Sequence, residues 1–365
     1  MIRNNVEIRP FEDCIKKVKY TKKVASQDFK ESGRFPIVSQ EEAFISGYWD
    51  NPDDVFSIDG PVVIFGDHSR HVKYVDFDFV IGADGVKILA PVDDINAKYF
   101  YYYLKSQRIQ SLGYSRHYKV LKEKMVPVPS LADQQRIVDE LDLLSGIVEK
   151  KNAQLKIMGD LEQSVFYEMF DQPDSSSFPV FKLSQLSRQK LSYGSGASAV
   201  EFNGNVRYVR ITDIQEDGTL TENSMSPDSY DEKYLLHEGD ILFARSGATV
   251  GKTFLYNKQD GKSIYAGYLI RFVPDVSVVY PEYIYHFTRS QYYKAFVRAN
   301  AHAVAQPNIN AQQYGNLEIC VPPMSLQKDF VERIMSIDSQ KATIRRSIKV
   351  AQNLLASRLD NYFNV

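Results

Sequence analysis

The sequence has no long apolar run and very little cysteine. None of its segments reaches the roughly eighteen consecutive apolar residues that a membrane-spanning helix needs, and the N-terminal residues lack the apolar core of a secretory signal. We therefore expect a cytoplasmic protein without a membrane segment. The two cysteines, Cys14 and Cys320, lie far apart in apolar contexts, so we predict reduced, buried thiols.

An excess of positive charge is also missing. The 44 Lys and Arg residues stand against 46 Asp and Glu residues, which gives a net charge of −2. Any binding of phosphate groups must therefore come from local basic clusters. Two such clusters occur, at residues 16–23 and 116–124.

No motif for catalysis is complete. The segment 246–253, SGATVGKT, is similar to a phosphate-binding loop, but Ser246 stands where the loop requires its first glycine. The residues that follow favour a strand, whereas such a loop leads into a helix. The tetrapeptide of an amino-methyltransferase, Asn or Asp followed by two prolines and an aromatic residue, is absent. His68 and His71 are close in sequence but lie in a predicted loop, so we expect no metal site.

What the sequence does contain is a long repeat. A shift of 193 residues, from Pro129 to Pro322, aligns residues 129–170 with 322–363 without a gap. Each copy begins with a proline-rich turn and then continues without proline, which predicts a helix of about 40 residues and about 60 Å.

Apolar residues in both copies recur at alternating steps of three and four, which is typical of a coiled coil. They are Leu141, Leu144, Val148, Leu155, Met158, Leu161 and Val165 in the first copy, and Ile334, Ile337, Ile344, Ile348, Ala351 and Leu355 in the second. Lys151 and Lys341 interrupt the two apolar seams, which would weaken a lone helix and fix the register of a pair.

The segments that precede the two helices also resemble each other. Both combine short β-rich runs with an aromatic helix. Leu183 aligns with Phe11, and Tyr283 aligns with Tyr99. We predict an α+β protein made of a domain at 1–128, a helix at 129–172, a second domain at 173–321 and a second helix at 322–365. The polar linker 171–177 is a predicted hinge.

Six aromatic residues of the two aromatic helices could suggest base stacking, but their spacing covers much of a helix circumference. We therefore predict that they are core residues. They are Tyr99, Tyr101, Tyr103, Tyr283, Tyr285 and Phe287.

Four motifs in this order make the chain resemble the specificity subunit of type I restriction-modification systems over essentially its whole length. They are PSLADQQRIV at 129–138, RYVRITDI at 207–214, EGDILFARSG at 238–247 and QPNIN at 306–310. The resemblance implies two target-recognition domains, each recognising one half of a split, asymmetric site on double-stranded DNA. It implies two antiparallel helices that set the spacing and dock two methyltransferase subunits.

The resemblance further implies that this chain is not an enzyme and binds no cofactor. S-adenosylmethionine, ATP and magnesium would belong to the methyltransferase subunits and to the motor-nuclease subunits that join them. Two other functions stay open on the sequence alone. One is a coiled-coil adaptor that binds only proteins, and the other is an NTPase that uses residues 246–253.

Candidate DNA-binding residues are polar or basic side chains on loops, able to contact base edges or phosphates. In the first domain they are Ser69, Arg70, Arg116, His117 and Lys119, and in the second Arg245, Ser246, Lys252, Gln306 and Asn308.

For docking of the methyltransferase subunits, the resemblance indicates Asp133, Gln134 and Gln327. The second helix has Leu326 at the position of Asp133. If that acid contacts the partner, the two docking surfaces are expected to differ.

Overall fold

The computed structural model describes residues 6–110, 113, 115–170, 178–301 and 307–364. The linker 171–177, the predicted hinge, lies outside them. The helices of the described residues are α1 (Ala97–Ser106), α2 (Tyr118–Lys122), α3 (Leu131–Phe170), α4 (Pro281–Phe287), α5 (Gln291–Ala301), α6 (Ala311–Gly315) and α7 (Met324–Phe363).

The strands fall into two groups, one before α3 and one between α3 and α7. The first group is β1 (Glu7–Pro10), β2 (Ile15–Lys16), β3 (Lys23–Val24), β4 (Phe35–Val38), β5 (Gly47–Trp49), β6 (Val55–Phe56), β7 (Val62–Gly66), β8 (Val72–Val75), β9 (Phe79–Gly82), β10 (Val86–Pro91) and β11 (Met125–Val128). The second group is β12 (Val180–Lys182), β13 (Ser192–Tyr193), β14 (Ala199–Glu201), β15 (Arg207–Val209), β16 (Met225–Pro227), β17 (Ile241–Ala244), β18 (Thr253–Leu255), β19 (Ser263–Tyr265), β20 (Leu269–Phe272) and β21 (Glu318–Cys320).

The chain forms two compact units. The first consists of Met1–Asn152 together with Arg345–Val365, and the second is Ala153–Ile344. Each unit therefore contains one group of strands, a part of α3 and a part of α7. The two helices have 40 residues each, as their proline-free sequences predict.

The first unit is built on an antiparallel sheet with the strand order β2-β10-β7-β8. Every residue of β7 is buried, since its run of Val, Ile and Phe is covered on both faces. Helix α1 packs against this sheet, and its Phe100 ring stacks on Phe11 at 5.7 Å and on Tyr103 at 6.0 Å. A second sheet contains the parallel pair β4 and β9.

The second unit repeats this topology. Its antiparallel sheet has the order β13-β20-β17-β18, and β15 pairs with β19 in parallel as β4 pairs with β9. The pairs β1–β11 and β12–β21 each bring the start of a domain beside the strand that leads into a long helix. The predicted internal duplication is therefore confirmed at the level of strand order.

The two aromatic helices are α1 and α4, and both belong to the core, as predicted. Tyr99, Tyr103, Tyr283 and Phe287 are buried, while Tyr101 and Tyr285 are half-buried against the same cores. The Tyr99 hydroxyl donates to the carbonyl of Pro127, and the Tyr283 hydroxyl donates to that of Cys320. These bonds join each aromatic helix to the strand that precedes a long helix.

Within the second unit, α3 and α7 pack in opposite directions. Glu162 contacts Lys341 at 2.6 Å, and the Phe170 and Phe330 rings lie 5.1 Å apart. The predicted seam of α7 is buried at Ile334, Ile337 and Ile344. The seam prediction is wrong at Leu161, which is 44% exposed, because the helix turns the neighbouring Glu162 inward.

Each long helix is joined to its domain by one buried glutamine. The Gln134 amide accepts from the Asn96 backbone at 2.7 Å and donates to the Pro129 carbonyl at 2.9 Å. The Gln327 amide does the same with Tyr280 at 2.8 Å and Pro322 at 2.8 Å. Both glutamines are 0% exposed, so these side chains hold the helix to the domain and do not offer a docking surface.

The loss of the acid at Leu326 has a local explanation. At the start of α3, Ser130 Oγ accepts from the Asp133 backbone and donates to the Asp133 carboxylate at 2.8 Å, which caps the helix. The 193-residue shift places Pro323 at the position of Ser130. Proline has no hydroxyl that could donate a hydrogen bond to an acid, so an acid at position 326 would not form the same cap. Leu326 packs against the apolar core instead.

The cysteine prediction holds for one thiol and fails for the other. Cys14 is buried, and burial raises its pKa to about 11. Cys320 is exposed at the end of a strand in a two-stranded sheet, which corrects the expectation that both cysteines are buried. No helix among the described residues has the length and apolar character needed to cross a membrane.

We expect Gln134→Ala to destabilise the first unit by about 2 kcal/mol, because the half-buried Asn96 amide would lose its acceptor. Trp49, the sole tryptophan of the chain, lies in this unit, so its fluorescence during urea unfolding measures the effect. The exposed neighbour Gln135 is the matched control. A Gln135→Ala change as large as that of Gln134→Ala would contradict this assignment.

Candidate nucleic-acid interface

In the second unit, two separated segments meet where strand β17 ends. The Ile309 amide donates to the Arg245 carbonyl at 2.8 Å, and the Gly247 amide donates to the Pro307 carbonyl at 3.1 Å. Ser246 and Asn308 form a β-bridge between these bonds. The backbone of Asn308 is therefore fixed beside that of Arg245.

Their side chains form an exposed cluster with two tyrosines. Arg245 Nε donates to Asn308 Oδ1 at 3.2 Å, and its guanidinium lies 4.8 Å from the centre of the Tyr193 ring. The Arg245 amide donates to the carbonyl of Tyr268. Tyr193, Tyr268 and Asn308 are exposed, and Arg245 is half-exposed. We call these four residues the Arg245 patch.

The Arg245 patch has the chemistry of a nucleic-acid contact. Among the described residues, the side chain of Arg245 contacts Asn308 and Tyr193 and pairs with no carboxylate, so its charge is available to a ligand. Guanidinium and amide groups bind base edges in the major groove, while tyrosine hydroxyls bind phosphates. The Arg245–Asn308 bond holds the guanidinium in place before any ligand arrives.

Tyr193 and Tyr268 are not among the residues that the sequence predicts to contact DNA. Each stands next to a glycine, Gly194 or Gly267, at a strand end, and this was the available signal. A Cβ at Gly194 would lie 2.3 Å from the Tyr265 carbonyl, so the backbone beside Tyr193 approaches its neighbour too closely for any other residue. This close approach positions Tyr193 under the guanidinium.

The other candidates of the second unit are placed differently. Lys252 pairs with Glu216 at 2.7 Å, and the Ser246 carbonyl accepts from the Thr249 hydroxyl. Residues 247–249 form a short 3-10 turn that leads into β18 and not into a helix, which removes the support for a phosphate-binding loop. Gln306 lies outside the described residues.

In the first unit, two separated segments meet in the same way but carry different side chains. We call this backbone contact between the two segments the joint. The His117 amide donates to the Asp67 carbonyl at 2.9 Å, as Ile309 donates to Arg245. Asp67 thus occupies the position of Arg245, and Arg116 occupies that of Asn308. Arg116 is exposed, whereas Asp67 is buried and accepts from the Tyr118 amide at 2.8 Å at the start of α2.

Two of the predicted residues in the first unit are used inside the protein. His117 is 0% exposed, and its Nδ1 lies 3.0 Å from the Asp67 carbonyl, so it is a core residue and does not reach DNA. The Ser69 hydroxyl donates to the Gln40 carbonyl. Both placements correct the sequence-based expectation.

Three basic candidates of the first unit are exposed: Arg70, Arg116 and Lys119. Arg70 adopts a left-handed backbone, with φ of 65°, and its guanidinium donates to the Ile109 carbonyl at 3.0 Å. This bond restrains the direction of the Arg70 side chain. For the neighbouring pair His68 and His71, the sequence predicts no metal site. The described parts of the chain contain no group of three His, Cys, Asp or Glu side chains that could hold a metal ion.

The comparison with known proteins identifies the class. Residues 4–157 and 178–352 each match the model of the type I restriction modification DNA specificity domain. The chain belongs to this family, and it carries two copies of the domain. Recognition of a DNA sequence is therefore its function.

Individual relatives agree with this class. The chain is 25% identical over 355 residues to the specificity subunit of the type I restriction enzyme EcoR124I/EcoR124II of Escherichia coli, covering 89% of this chain and 84% of the relative. It is 22% identical over 264 residues to the MjaVIII specificity subunit of Methanocaldococcus jannaschii, covering 65% of this chain and 62% of the relative.

Solved structures show the same fold. The specificity subunit from M. genitalium superposes with a TM-score of 0.60 at 14% identity, covering 99% of this chain and 96% of that one. A chain from a study of complex assembly in a type I restriction-modification system superposes with a TM-score of 0.51 at 13% identity, covering 100% and 98%.

We expect Asp67→Ala to loosen the joint that positions Arg116, because the half-buried Tyr118 amide loses its acceptor. Hydrogen exchange at Tyr118 should become about tenfold faster, equivalent to about 1.4 kcal/mol. Asp67→Asn keeps an acceptor oxygen and should change the rate much less. Equal rates in the two variants would show that the carboxylate does not hold this amide.

Proposed function

We propose that this chain is the non-catalytic specificity subunit of a type I restriction-modification complex. Each unit recognises one half of a bipartite, asymmetric site on double-stranded DNA. The observation that carries the proposal is the shared joint after β7 and β17, which presents Arg116 in one unit and Asn308 in the other. A common backbone with different side chains suits two halves of different sequence.

In the second unit, the Arg245 patch is the proposed contact. Arg245 supplies a guanidinium for guanine edges or phosphates, and Asn308 supplies an amide for base edges. The two tyrosines lie beside these groups and offer rings and hydroxyls to the sugar-phosphate backbone. In the first unit, Arg116, Arg70 and Lys119 provide positive charge near the equivalent joint.

The two long helices are proposed to form an antiparallel coiled coil that sets the spacing and docks two methyltransferase subunits. Repeat-related positions on them carry apolar side chains with nearly equal exposure: Ile157 at 65% and Val350 at 63%, Leu161 at 44% and Leu354 at 43%. Exposed apolar pairs on a helix are typical of protein contacts. Two equivalent pairs suit two equivalent partners.

The remaining chemistry is assigned to other subunits. S-adenosylmethionine belongs to the methyltransferase subunits, and ATP and magnesium belong to the motor-nuclease subunits that join for cleavage. Asp133 remains a candidate for docking, because its carboxylate is half-exposed at the start of α3. The burial of Gln134 and Gln327 shifts the docking proposal to the apolar pairs.

We expect Arg245→Ala to reduce affinity for the target by about tenfold to a hundredfold, and to relax discrimination in one half of the site. Sequencing methylated adenines in the host genome gives the target, and anisotropy with the methyltransferase complex measures binding to sites altered in each half. Arg245→Lys keeps the charge, and it should retain more affinity than discrimination. Equal loss of discrimination in both halves would contradict a modular recognition.

The dependence of DNA affinity on salt separates this function from an adaptor that binds only proteins. We expect affinity to fall steeply as salt rises, since Arg70, Arg116 and Lys119 are exposed cations and Arg245 is a half-exposed one. Arg116→Ala should reduce the slope of log affinity against log salt by about one if it contacts a phosphate. DNA binding that is absent at every salt concentration would support the adaptor instead.

We expect Ile157→Asp and Val350→Asp each to weaken binding of one methyltransferase subunit by about tenfold or more, and the double variant to weaken both. The reason is that a carboxylate would have to be desolvated at an apolar contact. Analytical ultracentrifugation counts the bound subunits. Lys156→Asp, at an exposed position next to Ile157, is the control and should bind normally.

A further inference from the structure

A buried ion pair departs from the symmetry of the repeat. Glu162 Oε1 on α3 lies 2.6 Å from Lys341 Nζ on α7, and the two side chains are 8% and 12% exposed. The 193-residue shift places Val148 at the position of Lys341 and Leu355 at the position of Glu162. The same two positions of the repeat are therefore charged in one place and apolar in the other.

Packing stability does not account for this pair. Burial raises the pKa of Glu162, and the hydrogen bond from Lys341 acts against that effect, so the carboxylate is desolvated at a cost. Apolar residues of similar volume usually stabilise a buried position at least as well as an ion pair. The chain itself has such residues, Val148 and Leu355, at the repeat-related positions. The best-supported use of a buried charge between helices is the choice of partner and register.

The repeat creates a choice of partner that most chains do not face. Because α3 and α7 are similar, α3 of one chain can be aligned with α3 of a second copy in the same antiparallel register. Val148 of the second copy then takes the place of Lys341, and Glu162 loses its direct partner. In the corresponding pair of α7 helices, Lys341 faces Leu355 of the second copy.

Neighbouring charges compensate only in part. Lys151 lies one helical turn from Val148, and Asp338 lies 3.6 Å from Lys341 on its own helix, where it is largely exposed. Neither contact restores a direct pair at the buried positions. We propose that the Glu162–Lys341 pair makes α3 select α7 and excludes pairing of either helix with its own counterpart in a second copy of this chain. This inference does not depend on the proposed function.

The test uses a cysteine at the symmetry point of the unwanted pair. When Glu162 faces Val148 of another copy, Leu155, midway between them, faces Leu155 of that copy. A Leu155→Cys variant of the full chain, made with Cys320→Ser to remove the exposed thiol, would form a disulfide-linked dimer efficiently through such a pair, because the two thiols face each other there. The readout is the cross-linked fraction on a non-reducing gel after mild oxidation over a range of concentrations.

Two double variants in this background decide the outcome. Glu162→Leu with Lys341→Val copies the apolar residues of the repeat, and we expect at least a tenfold larger cross-linked fraction with unchanged helix content by circular dichroism. Glu162→Lys with Lys341→Glu reverses the pair but keeps it, and we expect the cross-linked fraction of the parent. No increase in the apolar variant, or an equal increase in the reversed one, would overturn the proposal. If the apolar variant loses helix content, the reversed variant decides the outcome alone. Cross-linking of the reversed variant above the level of the parent would refute the proposal, and cross-linking at the parent level would support it.

Discussion

The structure depends on how a long helix is attached to a small domain, and one buried glutamine does this in each unit. Gln134 and Gln327 accept from a backbone amide at the start of the aromatic helix and donate to a proline carbonyl just before the long helix. A glutamine side chain both donates and accepts, so one residue fixes two segments. A buried amide without these partners would be costly, and this favours one direction for the helix.

A second backbone contact shared by the two units supports two different surfaces. In both units, the residue after a central buried strand accepts a backbone hydrogen bond from a distant segment. That residue is a buried acid in the first unit, Asp67, and a half-exposed base in the second, Arg245. The backbone bond is indifferent to the side chain, so the side chains at this joint are free to differ while the strand order is kept. Divergence of this kind lets a duplicated fold recognise two sequences.

The sequence predicted the large features because they rest on periodicity. Apolar residues at steps of three and four, together with the lack of proline, predicted both long helices. The ungapped shift of the sequence predicted the duplication. Periodicity alone does not decide which of two neighbouring helix residues faces the partner helix. Leu161 and Glu162 are neighbours, and the pairing with Lys341 decides that the charged residue is the buried one. That decision involves a residue far along the chain, which local patterns do not contain.

The functional residues were harder to predict for the same reason. His117 belongs to a basic cluster in the sequence, but the backbone bond to Asp67 draws it into the core and leaves Arg116 outside. Tyr193 becomes part of an exposed patch because the strand order β13-β20-β17 brings Arg245 beside it. Asn308, also distant in sequence, joins the patch through its β-bridge to Ser246. Composition identifies the residue types able to contact DNA, while strand order decides which of them meet.

If the two units recognise the two halves of an asymmetric site, as proposed, the chain must keep its two copies distinguishable. Surface divergence alone does not achieve this, since two helices that remain interchangeable allow the domains to be combined in the wrong pairs. A buried charge is an effective discriminator because the penalty for losing its partner exceeds the small gain from having it. The cost of desolvating Glu162 is therefore consistent with a chain in which specificity of pairing matters more than maximal stability.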